Sequence, residues 1–129
     1  QDMAAHWPTS TEPYAAPMNE IPKVVFSTRA KGLLEPEWAP SRVASGPLAE
    51  EVARLKQESG KEMLAHGGAG FSRSLVRLKL VDEFRLLVHP VALGRGLSLF
   101  SELAKPLDLS LVSATSFESG TVAHIYRPA

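Results

Sequence analysis

Two turns hold the residues best suited to chemistry. His66-Gly67-Gly68-Ala69-Gly70 is followed by Phe71, Leu75 and Leu78 at helical spacing, so a glycine-rich turn with Ser72 nearby opens a helix. A chain without Cβ atoms lets a ligand approach closely and can aim successive backbone N–H groups at a phosphate; the positive end of the helix dipole adds to that field. The same glycines would equally serve a strand-to-helix turn that needs φ > 0 or close packing, and the pattern alone leaves both readings open. Its spacing is neither Gly-x-Gly-x-x-Gly nor the Gly-Lys-Ser/Thr of a phosphate-binding loop. The second turn, Ser27-Thr28-Arg29, ends the apolar run Lys23-Val24-Val25-Phe26-Ser27. Two hydroxyls and a guanidinium at that edge of an α/β sheet suit a phosphate monoester, such as the one that separates NADPH from NADH, although a solvated loop start has the same composition. Taken together, the two turns suit the two ends of a dinucleotide.

Other reactive side chains form no constellation. His6, His66, His89 and His124 lack metal-ligand spacing, and no metal site is expected. Asp82-Glu83 sits where an acid ordinarily caps a turn rather than shuttling protons. No Gly-x-Ser-x-Gly elbow occurs, and Gly70-Phe71-Ser72-Arg73 puts no base beside a serine. Arg95, between Gly94 and Gly96, can reach a phosphate, but a solvated loop arginine is its ordinary role. The residues identify no catalytic group.

The elements that must position these turns follow from punctuation and periodicity. Pro8, Pro13, Pro17, Pro22, Pro36, Pro40 and Pro47 make the first third mostly connecting structure, with short helices over Asp2 to Trp7 and Ala15 to Ile21. Strands are expected at Lys23–Ser27 and Arg42–Ala44. Ser45-Gly46-Pro47 then opens a helix carrying Leu48, Val52 and Leu55, with a Glu50–Arg54 pair and an end at Gly60. Lys61 to His66 reads as a strand, the glycine turn and second helix follow, and Glu83 to Val88 reads as another strand. Leu107 to Phe117 and Thr121 to Arg127 make a hairpin around Glu118-Ser119-Gly120. This order predicts an α/β fold on one mixed sheet, parallel in its middle and antiparallel at its end.

Composition bounds the partners. The 129 residues are 44% hydrophobic and 22% charged, which suits a single soluble globular domain over 1–129. Net charge is 0, leaving no excess positive field for nucleic acid or an anionic membrane. The absence of cysteine excludes a thiolate metal site and a cysteine nucleophile. No apolar run reaches the length of a membrane span, no targeting signal stands at the N-terminus, and a cytoplasmic protein is expected.

Four segments carry a family resemblance: Ile21-Pro22-Lys23-Val24-Val25-Phe26-Ser27, Leu64-Ala65-His66-Gly67-Gly68-Ala69-Gly70, Leu80-Val81-Asp82-Glu83-Phe84-Arg85-Leu86 and Val88-His89-Pro90-Val91-Ala92-Leu93-Gly94-Arg95-Gly96. In order and spacing the chain resembles the dihydrofolate-reductase-like domains that include the C-terminal reductase domain of bacterial riboflavin biosynthesis enzymes. The resemblance implies a three-layer α/β/α domain binding NADPH along the sheet's C-terminal edge. It implies hydride transfer to a C=N or C=O group of a pterin-like or pyrimidine-like small molecule, as in dihydrofolate reductase or 5-amino-6-(5-phosphoribosylamino)uracil reductase. Gly67, Gly68, Ala69, Gly70 and Phe71, with Ser72 nearby, would meet the pyrophosphate, and Ser27, Thr28 and Arg29 the 2′-phosphate. The family's opening strand-helix-strand block has no counterpart before Gln1, so part of the substrate pocket is expected to lie outside these residues. A homodimer is expected, and a noncatalytic nucleotide-binding or dimerisation module derived from the fold is the alternative function.

Overall fold

The computed structural model describes residues 2–27, 38 and 40–129. It divides into two compact units, Gln1–Glu58 and Ser59–Ala129.

In the first unit, α1 (Asp2–His6) tightens into a 3-10 turn at Trp7–Thr9, where Pro8 ends regular helix, and α2 spans Ala15–Glu20. β1 (Lys23–Val25) pairs in parallel with β2 (Ser41–Val43) in the register Lys23↔Ser41 to Val25↔Val43. Lys23 is fixed at the sheet's start. Its ammonium donates to the carbonyls of Asn19 (3.1 Å) and Ile21 (2.8 Å) and lies 4.4 Å from the Trp38 ring centroid. Desolvation there lowers its pKa.

α3 (Leu48–Gln57) buries Val52 and half-buries Leu48 and Leu55, as the apolar spacing requires. The expected Glu50–Arg54 pair is replaced by better-placed acids. Arg54 reaches Glu51 at 2.6 Å and Glu58 at 3.0 Å, and Arg42 on β2 stands 3.9 Å from Glu51. The Arg54 hydrogen bond holds the Glu51 carboxyl below its ordinary pKa. The helix stops at Gln57, short of Gly60, because Glu58 turns to extended backbone while its side chain stays on Arg54.

In the second unit, the strand expected over Lys61–His66 does not form. A strand exists only where a neighbour completes its hydrogen bonds, and among the described residues none pairs with 61–66; Met63 and Leu64 are exposed. α4 (Ala69–Arg77) follows. Its core face is Leu75 and Val76, both buried, with Phe71 half-buried, rather than Phe71, Leu75 and Leu78, because the helix ends before Leu78, which is left exposed. β3 (Phe84–Val88), β4 (Leu109–Ser116) and β5 (Val122–Pro128) form an antiparallel sheet in the order β3-β5-β4, with a bulge between Leu111 and Ser113. The hairpin is closed by Gly120, whose φ of 79° favours glycine; Pro90 packs against it, 3.2 Å from where a Cβ would stand. Phe84 is buried, as Leu75 and Val76 are, and meets the Phe100 ring at a tilt with centroids 5.5 Å apart.

Parallel and antiparallel pairing are both present, as expected, but the described strands place them in two separate sheets rather than one mixed sheet. The segment meant to extend the parallel part, 61–66, supplies no ladder. Among the described residues no helix is long and apolar enough to cross a membrane.

Candidate functional site

The glycine turn resolves residue by residue. A Cβ on Gly67 would lie 2.2 Å from Cδ1 and 2.9 Å from Cβ of Phe71, so this position is glycine because the aromatic side chain occupies the space. Gly68 and Gly70 differ. Neither has positive φ, since among described glycines only Gly94 and Gly120 do, and a Cβ on either would have no heavy atom within 4 Å. Gly68, the N-cap of α4, is extended (φ −68°, ψ 170°), a conformation open to any residue. Local geometry thus accounts for one glycine and leaves two with open space.

That open space lies over the start of α4. The Ser72 N–H donates to the Gly68 carbonyl at 3.1 Å, so the helical ladder begins there, and no side chain caps the first turn. The N–H groups of Ala69 and Gly70 precede any intrahelical acceptor, and the dipole's positive end adds attraction for an anion. The residues therefore fit a phosphate-bearing ligand: donors, a favourable field, and room where side chains would otherwise stand. Phe71 and Ser72 are half-buried within the helix, the first packed on Gly67.

The second turn belongs to the other unit. Ser27 is exposed just beyond β1, while Thr28 and Arg29 lie outside the described residues. Of the nine residues expected to bind a cofactor, the structure brings together the six of the glycine turn and its helix.

The charged groups of the second unit mostly brace it. Glu83 accepts from Arg85 Nε (2.7 Å) and from Arg127 Nη2 (2.9 Å), tying the start of β3 to the end of β5; Arg85 also reaches Glu62 at 3.0 Å. These donors hold the Glu83 carboxyl below its ordinary pKa, Arg85 first, so it remains an ionised brace rather than a proton donor. His89 Nδ1 stands 3.4 Å from Thr121 Oγ1 at the hairpin turn. No group of acidic and histidine side chains among the described residues could hold a metal ion. A cleft of about 230 Å³ touches Val76, Lys79, Phe84 and Pro128 at the C-terminal end of α4, away from the glycine turn.

Sequence reasoning missed one connection to the site. Arg73, in α4, donates from Nε to the Ser98 carbonyl at 2.9 Å and stands 3.9 Å from Glu102, which Arg77 approaches at 3.7 Å. Arg73 and Arg77 share a helix face at i and i+4, but their partners are 25 residues further along, where no local pattern points to them.

The model of the RibD C-terminal domain family matches residues 1–123. The chain belongs to that family. It is 42% identical over 80 residues to uncharacterized protein YyaP of Bacillus subtilis (strain 168), a match covering 62% of this chain and 43% of that protein. With uncharacterized protein YwjB of the same organism the identity is 37% over 76 residues, covering 59% of this chain and 44% of the relative. The match therefore spans less than half the length of either curated relative. A crystal structure of a protein from Shewanella sp. PV-4, provisionally described as a riboflavin biosynthesis protein, superposes with a TM-score of 0.73 at 21% identity, covering 94% of this chain and 65% of that one. That likeness establishes a shared fold, of the dihydrofolate-reductase-like kind that the sequence resembles.

Proposed function

We propose that this RibD C-terminal domain is an NADPH-dependent reductase domain of three-layer α/β/α architecture, acting on a pterin-like or pyrimidine-like substrate. The observation that carries the reading is the pair Gly68 and Gly70, which have no conformational or packing need to be glycine and leave the uncapped start of α4 open. Backbone donors of that turn would hold the cofactor's pyrophosphate, and Ser27, Thr28 and Arg29 its 2′-phosphate. When bound, NADPH would supply a hydride to the carbon of a C=N or C=O group, the nitrogen or oxygen taking up a proton. The chain's own part is to bind and orient. A homodimer belongs to the same reading, supported by the edge strand β4, on which Leu111 and Val112 are exposed.

Calorimetric titration of the chain with NADPH, NADH and adenosine 2′-phosphate tests this reading. NADPH is expected to bind more tightly than NADH, and Arg29→Ala to weaken NADPH by about tenfold while barely changing NADH, as the loss of one charged phosphate contact should. Equal losses for both cofactors would remove the 2′-phosphate corner from the proposal. A folded chain that binds neither would overturn it, and binding without hydride transfer to any C=N or C=O acceptor would favour the noncatalytic nucleotide-binding module.

A further inference from the structure

The cleft of about 230 Å³ at the C-terminal end of α4 combines an apolar lining with two charged side chains. Val76 and Phe84 line it as buried residues, Val81 and Leu107 as half-buried ones, and Lys79 and Asp82 as exposed ones at its rim. An engineered apolar cavity of about 150 Å³ takes a benzene ring, so this space suits one ring or branched aliphatic group with a polar head at the rim.

Lys79 holds a left-handed backbone, φ 55°, at a position where glycine would carry no Cβ penalty. Its N–H and that of Leu80 return to the Val76 and Leu75 carbonyls, both at 3.0 Å, so the bend is fixed and the lysine side chain starts from a set place. Strain of this kind persists where a side chain is needed at that point. The fold itself does not use the charge: among the described residues the Lys79 ammonium has no ion pair and no hydrogen bond. Asp82, three residues on, borders the same cleft, and no ion pair joins the two. Opposite charges thus stand at one apolar cleft without neutralising each other.

We propose that this cleft binds a free apolar α-amino acid, with its side chain seated on Val76 and Phe84, its carboxylate met by the Lys79 ammonium and its ammonium by the Asp82 carboxylate. Charge decides the class of ligand. A molecule with a single charge gains from one of the two residues and is repelled by the other, whereas a zwitterion gains from both. The negative end of the α4 dipole, at this same end of the helix, adds to the pull on an ammonium. An apolar lining with a small number of placed polar groups is the ordinary make-up of a small-molecule site. The cleft lies at the opposite end of α4 from the glycine turn, and the inference stands without the nucleotide reading.

The test is titration of the chain with L-phenylalanine, followed through the methyl NMR signals of Val76, Val81 and Leu107. Glycine, 3-phenylpropanoate and 2-phenylethylamine serve as comparisons, and thermal midpoints are measured alongside. L-phenylalanine is expected to bind with a Kd of about 1 mM, as suits a ligand of its size, and to raise the midpoint. Glycine, with no side chain to seat, should leave the signals unmoved. 3-Phenylpropanoate and 2-phenylethylamine, each lacking one charge, should bind about tenfold more weakly. Lys79→Gln loses no partner within the chain, so the midpoint without ligand should stay where it is. That variant should weaken L-phenylalanine by about tenfold and leave 2-phenylethylamine no weaker, while Asp82→Asn should weaken L-phenylalanine and spare 3-phenylpropanoate. Equal affinity for the three phenyl compounds would make the cleft merely apolar and overturn the proposal. So would wild-type affinity for L-phenylalanine in Lys79→Gln, or a folded wild type whose cleft signals do not move at about 10 mM L-phenylalanine.

Discussion

The two ends of α4 are finished in opposite ways. At its C-terminus the chain completes the helix itself: Lys79 enters the left-handed region at φ 55°, its N–H bonds the Val76 carbonyl, and the Leu80 N–H returns to Leu75 at 3.0 Å. This is the Schellman arrangement with lysine where glycine is usual, and it satisfies carbonyls that would otherwise be orphaned. At the N-terminus the chain supplies no cap. Gly68 has no side chain to offer, and among the described residues nothing outside the local backbone stands within 4 Å of where a Cβ on Gly68 or Gly70 would be. One end closes on itself even at the cost of backbone strain; the other leaves donors available although any capping residue would fit Gly68's extended backbone. An end completed from within serves the fold, and an end left incomplete without conformational need is fitted for something from outside.

The change expected to do most damage is at the one glycine of the turn with a packing reason. Gly67→Ala puts a methyl against Cδ1 and Cβ of Phe71, and because the clash reaches the base of that side chain, rotation of the ring alone does not relieve it. Phe71 must leave its place or the turn must shift, at a cost of about 1–3 kcal/mol, the range for overpacking a fitted contact. Urea denaturation is expected to show that loss, and titration to show NADPH affinity reduced by at least about tenfold, because the donors move with the turn. A G67A variant that kept full affinity would mean the turn's shape does not matter to the ligand.

Gly70→Ala separates the two explanations of the turn more sharply, because both predict a gain in stability and only the ligand reading predicts a loss of affinity. Alanine is the better helix former, and nothing obstructs its methyl, so stability should rise by about 0.5 kcal/mol. The same methyl occupies the space through which a phosphate would approach, so NADPH affinity should fall several-fold. A gain in the denaturation midpoint with unchanged affinity would remove the contrast between the two ends and leave the glycine as an unoptimised helix position.

What the sequence made legible followed the reach of each interaction. α3 was readable because its apolar spacing and proline start are local, and the β4–β5 hairpin because Gly120 marks a turn whose strands are neighbours in the chain. The strand assigned to 61–66 was not readable from its own residues, since pairing is a property of the neighbour. In the glycine turn, composition identified the place but could not tell Gly67 from Gly68 or Gly70; what separates them is where the Phe71 ring falls, a fact of side-chain packing. The arginine ties to Ser98 and Glu102 had no local signature at all.

The smallest expected effect on ligand affinity lies at the closed end. Lys79→Gly places in the left-handed conformation the residue that adopts it without a Cβ penalty, while the bonds from positions 79 and 80 to Val76 and Leu75 remain available. Relief of that strain, less the greater backbone entropy glycine loses on folding, should raise stability by about 0.5–1 kcal/mol. Nothing about this end touches the glycine turn, so NADPH affinity should be the same as in wild type within error. Paired with Gly70→Ala, it completes the contrast: both variants are more stable, and only the one at the open end binds less. Should Lys79→Gly also weaken the ligand, the helix would be transmitting changes from one end to the other, and its two termini could no longer be treated as separate devices.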